Sequence, residues 1–184
     1  FRTITTEEES ADGRLEAWYE GYQMLRANPV FGVGYNQFLE YHIRTAHNSF
    51  VLAFSELGLL GILAWSAVLT STILILLKIA NKTYVPVELK PDDPRYVAVN
   101  EEAVIAKMFI FIFIAYFASA FFLSRTYTPF FYFFLGLSAS SLVRVRKIFP
   151  DLSRIFNYRE IHKISAMVTV GGLVGIYLVV KLFL

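Results

Sequence analysis

Cysteine is absent from the 184 residues. That removes a disulfide framework, a thiolate nucleophile and any Cys-based zinc site. Charge is scarce too: 17% of the residues are Asp, Glu, Lys or Arg, where an average soluble domain has about 25%. The net charge of +2 is small and spread along the chain, so there is no basic footprint for nucleic acid. HExxH is missing, and His42 and His162 stand at no metal-ligand spacing. Gly32-Val33-Gly34 lacks the third glycine and the preceding strand that a dinucleotide-binding turn needs. The chain opens at Phe1 on a polar stretch with no signal-peptide pattern, which reads as a cut from a longer protein.

Apolar residues take up the room: 56% of the chain is hydrophobic and mean hydropathy is +0.51. Four runs contain no charge at all, Leu57–Leu77, Met108–Ser124, Thr126–Val143 and Ile164–Val180. A spanning helix needs about 20 apolar residues. The first run meets that length. The middle two are short, and with only Ser124-Arg125-Thr126 near their junction they read as a tight helical hairpin. The last can extend to Leu184 if Lys181 snorkels. The fold class expected is all-α, a polytopic membrane bundle of about four transmembrane helices. Residues 1–48 form a loop outside it, and residues 49–184 form the bundle.

Basic residues give the orientation. Lys78, Lys82, Lys90, Arg95 and Lys107 lie between the first two runs, and Arg144, Arg146, Lys147, Arg154, Arg159 and Lys163 follow the third. The positive-inside rule puts both segments in the cytoplasm, and residues 1–47, the Arg125 turn and the C-terminus outside. In the outer loop Leu15, Trp18, Tyr19, Tyr22 and Leu25 recur at helical spacing. Asp12 is placed to cap that helix and Asn28-Pro29 to stop it. Such a stripe suits a helix lying on the membrane or packed over the bundle. Gly32 and Gly34 permit a tight turn before a second short helix near residues 36–41.

One stretch is denser in signal than the rest: GRLEAWYEGYQMLRANPVFGVGYNQFLEYHIRTAHNSFVLAFSELGLLG, from Gly13 to Gly61. A Gly-Arg followed by Trp, then NPVFGVG, then AHNSF and ELGLLG, resembles the large extracytoplasmic loop of the O-antigen ligase and polymerase family. His47 and Gly58 reproduce its His-x10-Gly pattern, and SRTYTPFFYFFLGLSAS resembles its short outer turn and following helix. The likeness covers roughly residues 13–140.

The resemblance implies an inverting transfer of a glycan from undecaprenyl diphosphate to an acceptor hydroxyl, at the outer face of the bacterial inner membrane, with no metal and no cofactor. The acceptor of a ligase is lipid A-core. A polymerase would use a growing glycan, and a protein O-oligosaccharyltransferase a protein. By motif His47 maps to the base and Arg14 to a diphosphate-binding arginine. Arg125 and Arg44 are further candidates for the diphosphate, while Gly32, Gly34, Asn48 and Gly58 carry the structural pattern. The chemistry suits the residue types. Imidazole takes a proton near neutral pH, and guanidinium grips phosphate oxygens while keeping its charge.

Each candidate has a plainer reading. Asn48 or Ser49 can simply cap a helix. Arg14 can be a solvated loop residue, and Arg125 and Arg44 can snorkel to lipid head groups. Glu56, nine residues from His47, would lie about 180° away around one helix and so not orient the imidazole. A transporter or scaffold is the reading from another class. Such proteins tend to place polar or charged groups at the bilayer midplane, and the interiors of the four runs here are nearly free of ionisable residues.

Overall fold

A computed structural model describes residues 11–86, 89–151 and 157–183. Among the described residues the chain is helical with no strand. The helices are α1 (Ala11–Ala27), α2 (Phe38–Tyr41), α3 (Ser49–Ala80), α4 (Pro94–Phe122), α5 (Pro129–Ile148) and α6 (Tyr158–Phe183). Three of them, α3, α4 and α6, are long and apolar enough to cross a membrane. The all-α membrane architecture expected from the four runs is therefore present. The third run forms α5, which is not among these three. Only Pro129 to Val143 precede Arg144, a stretch of about 22 Å at 1.5 Å per residue, short of a hydrocarbon core of about 30 Å.

The chain divides into two compact units. The first takes the described residues of Phe1–Ser66, together with Ala118–Thr126 and Ala166–Leu184. Here α1 ends at Ala27, where Asn28-Pro29 breaks the pattern. Its start at Ala11 leaves Asp12 inside the helix rather than at its cap. Of the stripe, Trp18 and Leu25 are buried, Tyr22 is half-buried and Tyr19 is exposed. The helix is thus packed on its neighbours. A Cβ on buried Gly21 would come within 2.6 Å of Val51 Cγ1, which measures how closely α1 meets α3. Tyr22 meets Tyr177 of α6 at 5.6 Å between ring centroids. Thr169 of α6 and Ser66 of α3 are 2.9 Å apart through their hydroxyls.

The second unit takes the described residues of Ala67–Phe117 and Tyr127–Ser165. The stacked pair Tyr116–Phe131, 4.4 Å between centroids, and the edge contact Phe113–Phe131 close α4 on α5 as the expected hairpin. Buried Glu102 holds Arg144 by two hydrogen bonds, and Arg144 also donates to Ser140 and Ser141. Lys78 pairs with Glu160 at 2.6 Å. Asp93 accepts from the Arg95 amide and guanidinium at the start of α4. Those bonds hold its carboxyl down at about 2. Burial, helped by the Glu102 charge, pushes the Tyr84 hydroxyl up to about 12.

Candidate functional site

The loop before α3 is built on a break in that helix. Gly58 has φ 66° and ψ −169°, outside the helical region, although helix continues on both sides. Such a break removes the bonds that Leu59 and Leu60 would donate to Ser55 and Glu56 one turn back. The loop replaces them. Val33 N–H donates to the Ser55 carbonyl (2.9 Å) and Gly34 N–H to the Glu56 carbonyl (3.0 Å). In return the Leu59 and Leu60 amides donate to the carbonyls of Pro29 (2.9 Å) and Val30 (3.2 Å). Backbone meets backbone too closely for any side chain. A Cβ on Gly32 would lie 2.4 Å from the Glu56 carbonyl carbon, and one on Gly58 2.4 Å from the Gly32 nitrogen. Both glycines also have positive φ, +70° and +66°. Gly34, at φ +106°, completes the turn.

The same knuckle buries Glu56, which is 2% exposed. Its Oε1 accepts the Phe38 amide at the start of α2 (3.0 Å). Its Oε2 has no hydrogen-bond partner among the described residues. Glu56 therefore ties α2 to α3.

His47 stands immediately before the cap of α3. Its φ is 47°, a left-handed conformation that costs a non-glycine residue about 1–3 kcal/mol unless the surroundings enforce it. The surroundings do. On one side Trp18 donates its indole N–H to the carbonyl of buried Ala46 (2.9 Å). On the other Asn48 is fully buried, and its Oδ1 accepts the Phe50 and Val51 amides (2.9 and 3.1 Å). The imidazole between these two anchors is half-buried. Asn48 is thus the helix cap, and His47 is left out of that role.

The loop is stapled to the turn after α4. Ser49 Oγ donates to the Leu123 carbonyl (2.7 Å) and accepts the Arg125 amide (2.7 Å). The Thr126 hydroxyl donates to the Ser49 carbonyl (2.7 Å), and Asn48 Nδ2 donates to the Phe121 carbonyl (3.1 Å). Thr45 and Ser124 share a hydrogen bond of 2.8 Å through their hydroxyls. Trp18 meets Phe121 edge-on at 5.8 Å. The backbone of Arg125 is therefore fixed beside Ser49, two residues from His47, while its guanidinium side chain is exposed.

The remaining candidates lie in the same unit. Arg14 is four residues before Trp18 on α1, so it shares the face that docks on Ala46. Arg44 donates its amide to His42 Nδ1 (3.2 Å) within the loop that leads to His47. The geometry ties the Arg125 backbone to Ser49, two residues after His47, with Arg14 on α1 and Arg44 in the loop before His47. No cluster of three or more His, Asp or Glu fit to hold a metal occurs among the described residues. Sequence reading did not single out Ser49, Thr126, Thr45 or Ser124 as links to a common site. The only signal available is that three hydroxyl residues, Ser124, Thr126 and Thr128, flank a charged turn between apolar runs.

No curated protein and no solved structure matches the chain. A family model described as O-Antigen ligase matches residues 2–66. The matched range holds Arg14, the knuckle glycines, Arg44 and His47, and it stops before the Arg125 turn and α5. At family level it stands for glycan transfer of the O-antigen ligase or polymerase type, and with the three apolar helices it marks a membrane protein. The family that the loop motifs resemble is the one whose model, O-Antigen ligase, matches residues 2–66.

Proposed function

We propose that this chain carries the outer-face catalytic loop of an O-antigen ligase. In this reading the donor is a glycan on undecaprenyl diphosphate in the bacterial inner membrane, and the acceptor is a hydroxyl of lipid A-core. His47 takes the proton of that hydroxyl as its oxygen bonds to the anomeric carbon. The bond from that carbon to the diphosphate oxygen breaks with inversion, and the diphosphate leaves with an added negative charge. Arg125, Arg14 and Arg44 supply fixed positive charge for the leaving group, which lowers the barrier most where water is scarce.

One observation carries this reading. The Ser49 staple holds the Arg125 turn against a loop in which His47, at positive φ like Asn36, is left out of the capping bonds that Asn48 makes. A helix cap alone would need neither feature. A polymerase or a protein O-oligosaccharyltransferase would use the same groups on a different acceptor.

The test is glycan profiling of a deletion strain complemented with the wild-type or the His47→Ala gene. Wild type is expected to restore ladder-like lipopolysaccharide, and His47→Ala to insert at normal level yet leave lipid A-core unsubstituted. A full ladder from His47→Ala removes His47 from the mechanism. Long glycan retained on the lipid carrier in the deletion strain supports the ligase, whereas single repeats indicate a polymerase.

A further inference from the structure

The tip of the knuckle is apolar and open. Val30 is 48% exposed and Phe31 74% exposed. The backbone that carries them is fixed, because the carbonyls of Pro29 and Val30 are bound to the amides of Leu59 and Leu60. Leu59 and Leu60 are themselves exposed apolar residues, at 39% and 54%. They begin the part of α3 beyond the Gly58 break, which runs 22 residues to Ala80. At 1.5 Å per residue that part is about 33 Å long, enough by itself to cross a hydrocarbon core of about 30 Å. The break therefore stands where the span begins, and the tip stands beside it.

The composition of the surrounding loop agrees. From Asn28 to Ile43 there is no Asp, Lys or Arg and one Glu, Glu40, beside a single histidine, His42, and Tyr35, Tyr41, Leu39 and Ile43 are exposed. Arg26 and Arg44 bracket the stretch. Aromatic and apolar side chains with cations at the margins are the pattern of a segment seated at the level of lipid head groups.

From these observations we infer that Val30 and Phe31 form a membrane anchor, inserted at the boundary between head groups and acyl chains where α3 enters the bilayer. The anchor would fix the height of the catalytic loop. Ser49 is nine residues above Gly58, no more than about 14 Å along the helix, so His47 is held within reach of a diphosphate at head-group level. The anchoring itself depends on α3 spanning the membrane and not on the glycan-transfer reading.

The test uses the protein with Phe31→Cys as its single cysteine, carrying an environment-sensitive fluorophore, in bilayer nanodiscs. The fluorophore at position 31 is expected to emit as in an apolar medium, to be quenched several-fold by lipids brominated near the head-group end, and to be shielded from aqueous iodide. Arg26→Cys, labelled in the same way, serves as the water-exposed reference. Iodide quenching at position 31 equal to that at position 26 would overturn the anchor. Apolar emission untouched by both quenchers would overturn it as well, since the tip would then be covered by protein. Val30→Cys repeats the measurement should the label at position 31 disturb folding, and transfer activity recorded in parallel separates this result from the proposed function.

Discussion

Ser49 shows how much one hydroxyl can arrange. It satisfies a carbonyl and an amide of a turn more than seventy residues away, and its own carbonyl takes the Thr126 hydroxyl. Removing it leaves the Leu123 carbonyl and the Arg125 amide bonded only to each other (3.0 Å), a loss of about 0.5–1.5 kcal/mol for each bond to Ser49. Ser49→Ala is therefore expected to lower the Tm in detergent. It should also raise the KM for lipid-linked donor more than it lowers kcat, because the guanidinium is displaced and the base is not. An unchanged KM with a lowered Tm would leave Ser49 as a fold residue only. Gly58→Ala tests the knuckle at the same scale. A methyl there meets the Gly32 nitrogen at 2.4 Å with φ at +66°, so the expected loss is about 3 kcal/mol or more, read as a large drop in folded protein after extraction. Wild-type yield and Tm would refute the close approach.

At the scale of elements, α4 and α5 are joined by an ionic cluster. Glu102 is buried while Arg144 is 42% exposed at its side chain. Breaking a fully buried pair costs about 3–5 kcal/mol, and the exposure of Arg144 reduces this through screening. Arg144→Leu is expected to destabilise the hairpin by about 1–3 kcal/mol, and Arg144→Leu combined with Glu102→Leu by less, as thermal unfolding of the two variants will show. The start of α4 adds a pH effect. The carboxyl of Asp93 sits at about 2, below the usual carboxylate range, through its bonds to Arg95. Its contribution is present at neutral pH and is lost as pH falls from about 4 to 2. Asp93→Asn, which lacks the charge at every pH, should lower the Tm slightly at pH 7 and flatten its fall between about pH 4 and pH 2. Much of this level is legible from the order of residues: the apolar runs, Asn28-Pro29 as a stop and the hairpin. The helix break at Gly58 is not, since it lies inside an unbroken apolar run and its partners, Pro29 to Gly34, are more than twenty residues distant. The third run already reads as short, and its helix starts only at Pro129, which shortens the apolar part of α5 further.

For the whole molecule, the motifs locate His47 and the knuckle glycines, but the staple that gathers the site pairs residues whose chain separation hides them from any periodic pattern. Orientation in the membrane rests on the distribution of Lys and Arg. It predicts that single cysteines placed at Arg26 and at Lys90 react with an impermeant maleimide from opposite sides of intact cells. Labelling of both from outside would contradict it. The central claim is that His47 moves a proton while Arg125 holds the leaving diphosphate, and steady-state transfer against donor concentration tests it most directly. His47→Gln should lower kcat by about 10²–10⁴-fold with little change in KM, and Arg125→Ala should raise KM at least several-fold in addition to any loss of kcat. Activity within twofold of wild type for either variant would contradict the account.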